Sequence, residues 1–461
     1  MLLTEISILG YVNFELNPMT VHGVGGIFIY GCSFGIVSNN NLNFTYADAI
    51  HHTAFSHDIH TFMNTIENAA DDGIACVTYL PDQANYNIRY SANSIKNNWG
   101  GRGLTIIGGD NIIIEDNYVE NTANAAIWLS SESSYNTAAP INSIVRRNTV
   151  RYSTLLSNGS CSATTLPAMG IDIGNAEESH NIQFVDNTVE HSCRPLLRLS
   201  GGPNNDVTVA GNTFASCRSY SVYVTSNDVQ LDFIGNKIHG AIDNAFVGIN
   251  TPDVVNFVNN DVVDVLADTG RIQVVIFDNV NHLQFTGNNH SQTASTNARR
   301  YLEVNSASSM VIANNRNTTV LSYVVPSDAS TFTVPSAEDF LLPTSSSSVD
   351  IAASTFVEHA SGSDLKFVVA YGAVGGKIDT SIDRSSARFT FSEGEVSGNF
   401  KFVVKSADQS IAEAVCRVEM VEPQNQQPQT TSSPSGFRQS SALSLKGAEF
   451  ALLGLFAFWQ L

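Results

Sequence analysis

Positive charge is scarce in this chain. Its 461 residues hold 23 Lys and Arg against 43 Asp and Glu, a net charge of −20 with pI near 4.8. That balance excludes nucleic acid as a partner. It also disfavours a polyanionic substrate such as pectate or alginate, unless a local basic patch or bound cations intervene. Charge of either sign is low, at 14% of residues. Asn, Ser and Thr furnish the polar surface instead, which suits an extracellular all-β protein better than a helical cytosolic one. Cysteine is sparse too. Cys32, Cys76, Cys161, Cys193, Cys217 and Cys416 are too scattered for a small disulfide scaffold or a zinc motif. One or two disulfides are expected if the chain is secreted, and Cys193 and Cys217 stand 24 residues apart.

The chain also lacks a recognisable leader. MLLTEISILGYVNFELN has no basic start, and Glu5 and Asn13 interrupt its apolar run. The C-terminal end is different. AEFALLGLFAFWQL (448–461) is apolar but too short for a comfortable membrane span. Small residues (Ser440, Ser441, Ala442) and a polar stalk precede it, the order of parts in a glycosylphosphatidylinositol attachment signal. Such an anchor requires entry to the secretory pathway, so the expectation is a secreted or surface protein whose true N-terminus is missing here. Asn-x-Ser/Thr sites at Asn43, Asn158, Asn289 and Asn317 are compatible with that route.

What the chain has in plenty is a repeat. The pattern polar, apolar, x, apolar, x, x, Asn, x, apolar recurs as NIIIEDNYV (111–119), NSIVRRNTV (142–150), NIQFVDNTV (181–189) and DVTVAGNTF (206–214), among others. Its Asn falls at 64, 93, 117, 148, 187, 212, 236, 260, 288 and 315, with Cys32 expected in the Asn place of GIFIYGCSF (26–34). The steps run from 24 to 39 residues, a fixed coil of 24 with loop insertions. A strand-rich unit this short cannot bury its own core, so successive units must stack. Leucine-rich repeats and β-propellers are excluded by the missing Leu offsets and by the strand count per repeat. The expected fold is all-β: a right-handed parallel β-helix over 1–335, its Asn column bonding the turns. From 340 to 421 the alternation of TFVEH, LKFVVAYG, ARFTFS, NFKFVVKS and AEAVCRVEMV predicts a small antiparallel β-sandwich, cadherin- or Ig-like. A polar stalk (422–447) and the apolar tail (448–461) complete the expected order.

Chemistry is concentrated early. YADAIHHTAFSHDIHTFMNTIENAADDGIA (46–75) contains Asp48, Asp71 and Asp72 with four His between them. Aligning small-aliphatic steps stacks Asp48-Ala49-Ile50 on Asp72-Gly73-Ile74 and then on Arg102-Gly103-Leu104. Adjacent rungs lie ~4.8 Å apart, so the three carboxylates must raise at least one pKa among themselves. Separated acid and base roles of this kind hydrolyse glycosides. Trp99 and Trp128 are candidates for stacking a sugar ring, and His51 for binding substrate. Arg102 would bind substrate or neutralise the acids. His51, His52, His57 and His60 include H-x-x-H, but no supporting ligand geometry accompanies it, so neither metal nor cofactor is expected.

The stretches TYADAIHHT, NTIENAADDGIACV and NNWGGRGLTIIGGDNIIIEDNYVENT resemble the catalytic coils of β-helical glycoside hydrolases, above all the bacterial α-1,3-glucanases (mycodextranases, glycoside hydrolase family 87). The dextranase and isopullulanase family and the polygalacturonases have similar three-Asp groups. The likeness covers roughly 40–130. It implies an inverting hydrolase acting on a neutral α-glucan, with Asp71 as general acid and Asp48 and Asp72 holding and deprotonating the water, the acid and base ~6.5–9.5 Å apart. Ala49, and Ala69-Ala70, stand where that family has Gly and Thr-Gly. The Gly-His-Gly and Arg-x-Lys motifs of polygalacturonases are not visible. Two rival readings remain: a carbohydrate-binding or adhesive wall protein without catalysis, and a polysaccharide lyase or epimerase, which normally wants Lys, Arg or Ca²⁺ to stabilise its anion. A monomer with a polysaccharide partner is expected, its membrane contact confined to the lipid anchor.

Overall fold

The computed structural model describes residues 6–421, apart from 24, 157–159, 175–177, 227, 249–252, 266–272, 293–299 and 318–321. The expected stalk and tail lie outside the described residues. Three parallel sheets of 13, 12 and 12 strands run along the chain, each coil giving one strand to each sheet. Register is constant, so one interior column in the first sheet reads Ile27, Ile50, Ile74, Leu104, Ile127, Met169 and Leu197, every member fully buried. Farther along, Phe233, Phe257 and Phe285 stack ring on ring inside the second sheet, at 5.1 and 5.2 Å. Each coil alone would leave its apolar strands wet, and the stack removes them from water.

The asparagines form the predicted column at one corner. Each donates its backbone N–H and its amide to the side-chain oxygen of the next, as Asn148 does to Asn187 at 2.9 Å for both bonds. Its Nδ2 also reaches back to a carbonyl, here Ile114 at 3.0 Å. The residue just before each ladder Asn is left-handed, including Met63, Ala92, Asp116, Arg147 and Asp186. Non-glycine residues pay for that conformation, and the buried ladder bonds offset it. One expectation fails here. Asn40, not Cys32, precedes Asn64 in the column, its N–H donating to the Asn64 oxygen at 3.0 Å. Cys32 begins a different corner, stacked on Ser56, which is stacked on Asn85. Cys193 pairs with Cys161 across a loop, and Cys217 stays free and buried, next to Ser192 on the following rung.

After the helix, two small sheets face each other across Phe356, Phe389, Phe400 and Phe402. The four-stranded sheet is mixed: Phe340–Thr344 runs parallel to Ile411–Met420. TFVEH is not a strand as its alternation suggests; it falls in a short helix, Ala353–Glu358, which buries Phe356. The outer face of this sheet packs on the β-helix through Val368, Val369, Tyr371, Val403 and Ile411 against Val185, Ala210, Ile234 and Val258. Gln284 closes the seam by exchanging two bonds with the Ile411 backbone, 2.8 and 2.9 Å. No helix among the described residues is long and apolar enough to cross a membrane.

Candidate active site

Strand register brings the acids together. Ile50 pairs with Ile74 and Ile74 with Leu104, which seats the Asp48, Asp71-Asp72 and Arg102 turns on successive rungs of the first sheet. Gly101 permits the last step, since a Cβ there would overlap the Asp71–Asp72 peptide. One oxygen from each of Asp48, Asp71 and Asp72 lies within 4.8 Å of the others. Among the described residues this is the one group of acids, His or Cys close enough to hold a cation.

The three are not equivalent. Asp71 is exposed on the groove floor. Partial burial and the neighbouring Asp48 hold its carboxyl above the usual range, with Arg102 pulling the other way. Asp48 is committed on both oxygens: Oδ2 is hydrogen-bonded to His51 Nδ1 at 2.6 Å, and Oδ1 accepts the Asp72 N–H at 3.0 Å. Asp72 is only 2% exposed. Its Oδ1 accepts the Arg102 N–H (2.8 Å) and Nε (2.9 Å), and its Oδ2 accepts Thr105 Oγ1 at 3.0 Å. Burial pushes this carboxyl up to about 6, although Arg102 pulls it down. Asp72 thus ties its turn to the next rung while still lining the groove with Asp48 and Asp71.

Other expected residues sort clearly. Arg102 gives Nη1 to Glu132 at 2.6 Å while holding Asp72, so its guanidinium neutralises two carboxylates at the edge of the groove that it also lines. Trp128 cannot stack a sugar, being 2% exposed among Ala75, Val77, Ile107 and Ala125 with Arg198 over its ring. Trp99 is 61% exposed, but it lines a separate hollow with Asn98, Leu155 and Leu156, one that none of the three acids lines. The four histidines disperse. His52 points into the core, where burial lowers its pKa to about 3 and Thr61 and Tyr90 bond its ring. His57 stacks on Tyr86 and His60 bonds Ser91. Only His51 reaches the site, its ring stacked on Phe28.

Sequence reasoning missed Glu132, Thr105, Tyr79 and Tyr135. Thr105 sits one register step outward from Ile74, at Ala75, and its partner becomes visible only when the coils are stacked. The other three stand on loops 78–85 and 132–139, whose excess length over the same connections in neighbouring coils (54–56, and 108 alone) was the available signal.

The fold is a right-handed parallel β-helix. The family described as right handed beta helix region matches residues 10–150. No curated protein matches. Among solved structures, the A-module of the Azotobacter vinelandii mannuronan C-5 epimerase AlgE4 is 10% identical, with TM-score 0.50 over 70% of this chain and 91% of that one. The AlgE6 A-module is 11% identical, with TM-score 0.51 over 69% and 88%. The catalytic unit of the GH87 α-1,3-glucanase from Streptomyces thermodiastaticus is 12% identical over 67% and 62%, with TM-score 0.35. At such identities the similarity to the epimerase modules is one of fold.

Proposed function

We propose that this protein is a polysaccharide-processing enzyme, and specifically a glycoside hydrolase that cleaves a neutral glycan at Asp71. The observation that carries the reading is Asp71 itself: exposed, with raised proton affinity, beside the Asp48–His51 pair. A carboxylic acid that keeps its proton can protonate a glycosidic oxygen. In this reading His51, bonded to Asp48 through Nδ1, holds the attacking water and takes its proton. Asp72 and Arg102 brace the turn. The inverting course is part of the proposal and rests on the resemblance of 40–130 alone.

Neutral substrate follows from charge. Asp48, Asp71, Asp72 and Glu132 surround Arg102, which is already taken by two of them. A uronate carboxylate entering there would meet uncompensated negative charge. The α-glucan preference, α-1,3-linked first, rests on the resemblance of 40–130 alone. One observation favours a second reading: the Asp48–His51 pair could also abstract a proton, as a lyase or epimerase requires. An extracellular or surface location, through the C-terminal anchor signal, is part of the proposal, and the Cys161–Cys193 bridge supports an oxidising compartment.

The test is product chemistry from α-1,3-glucan, dextran and alginate, with Asp71→Asn as control. New reducing ends that vanish in the variant support the hydrolase. Unsaturated sugars or altered uronate configuration would replace it with the second reading. Binding without turnover would make the protein an adhesive wall module.

A further inference from the structure

Loops 78–85 and 132–139 leave the helix from coils two rungs apart, yet they are zipped into one wall. Ala138 N–H donates to Thr78 O at 3.0 Å, Leu80 N–H to Asn136 O at 2.7 Å, and Asn136 Nδ2 to Leu80 O at 3.1 Å. Tyr79 and Thr137 form an antiparallel bridge between them. The wall is wired to the acids, because Glu132 at its base holds Arg102, which holds Asp72. Towards the groove it presents two aromatic side chains, Tyr79 and the 66% exposed Tyr135.

The space in front of the wall is one of two hollows of about 220 Å³ each. The second lies on the other side, over Phe28 and Ala47. Asp48, His51 and Asp71 line both, so the reacting groups stand at the junction. Large aromatic residues left exposed beside committed polar groups suit a ligand with an apolar face and a hydroxylated rim. A pyranose ring is such a ligand. The Tyr79 phenol, which lines the hollow, carries an O–H that can donate to sugar hydroxyls.

We propose that the two-loop wall is a glycosyl-binding subsite: Tyr135 packs on the face of one sugar unit and Tyr79 donates to its hydroxyls, while the next unit occupies the Phe28 hollow, so that the bond between them lies over Asp71. This rests on the hydrolase reading for the position of the cut, but not for the binding itself. It makes the wall, rather than either tryptophan, the determinant of which ring is accepted.

The experiment uses the full chain carrying Asp71→Asn, titrated calorimetrically with a panel of neutral tetrasaccharides (α-1,3- and α-1,6-linked glucose, β-1,4-linked glucose). Tyr135→Ala on that background is expected to weaken binding of the preferred member at least tenfold, and Tyr79→Phe severalfold. In the chain with Asp71 intact, Tyr135→Ala should raise KM more than it lowers kcat. Equal affinity with and without Tyr135, or no binding to any member, overturns the subsite. Binding that depends on Tyr135, together with no release of reducing ends by the unmodified chain, upholds the subsite and sinks the hydrolase reading instead. Because Tyr135 is exposed, an unchanged melting temperature separates its loss from misfolding.

Discussion

Replacing Arg102 by Met tests what keeps the buried Asp72 carboxyl in place. The substitution keeps most of the stem and deletes the Nε bond to Asp72 and the Nη1 bond to Glu132, leaving the backbone N–H bond at 2.8 Å. Asp72 then has no cation against it, with Asp48 and Asp71 close by. Breaking a buried pair on one side costs about 3–5 kcal/mol while the orphan stays charged. At ~2.1 cal/mol/K per residue over roughly 400 ordered residues, that is a fall of about 4–6 °C in Tm. The sign with pH is specific. Burial already lifts Asp72 to about 6, and Arg102 is the group pulling it down, so the variant's pKa rises further. A folded pKa above the unfolded value means the folded state holds the proton more tightly. The stabilising contribution is therefore full below the unfolded value, ~3.9, and lost as pH rises through the folded one. Thermal unfolding by circular dichroism should show the variant's deficit at pH 8 and a much smaller one at pH 5. Adding Asp72→Asn removes the orphan charge and should restore most of the loss at pH 8. An equal deficit at both pH values, or no rescue by the second substitution, would refute the charge argument and leave lost packing as the cause.

Other outcomes follow from the same geometry. On the proposed function, Asp71→Asn should lower turnover by about 10²–10⁴-fold with unchanged Tm, and the unmodified chain should lose activity as pH rises through the Asp71 pKa, above the ordinary carboxylate range, in a pH–rate profile. Trp128→Ala should cost about 3–5 kcal/mol in denaturant unfolding, whereas the exposed Trp99→Ala should stay within about 0.5 kcal/mol. Asn187→Ala strips the Asn148 N–H and the Val145 carbonyl of buried partners, and should destabilise by about 2–5 kcal/mol in the same assay.

The sequence by itself determined the β-helix, because a solenoid's periodicity is written along the chain. Every coil solves the same burial problem, so the Asn spacing, the apolar columns and the rung order of Asp48, Asp72 and Arg102 follow from a repeat of 24 with insertions. What the period could not carry was decided by contacts between segments it does not relate. Cys32 fits the repeat by spelling, yet it lies at another corner, because only stacking shows which turn a polar residue faces. Trp128 shares a coil with the site but is covered by Arg198 from a rung two steps on. Asp71 and Asp72 are adjacent in sequence and opposite in exposure, since a strand entry turns one side chain to the groove and the next towards Arg102 and Thr105. The Tyr79–Tyr135 wall joins loops 78–85 and 132–139, and the docking of the small sandwich joins Gln284 to Ile411. Local spacing sets which rung a residue occupies; only packing across coils and loops sets what its side chain meets.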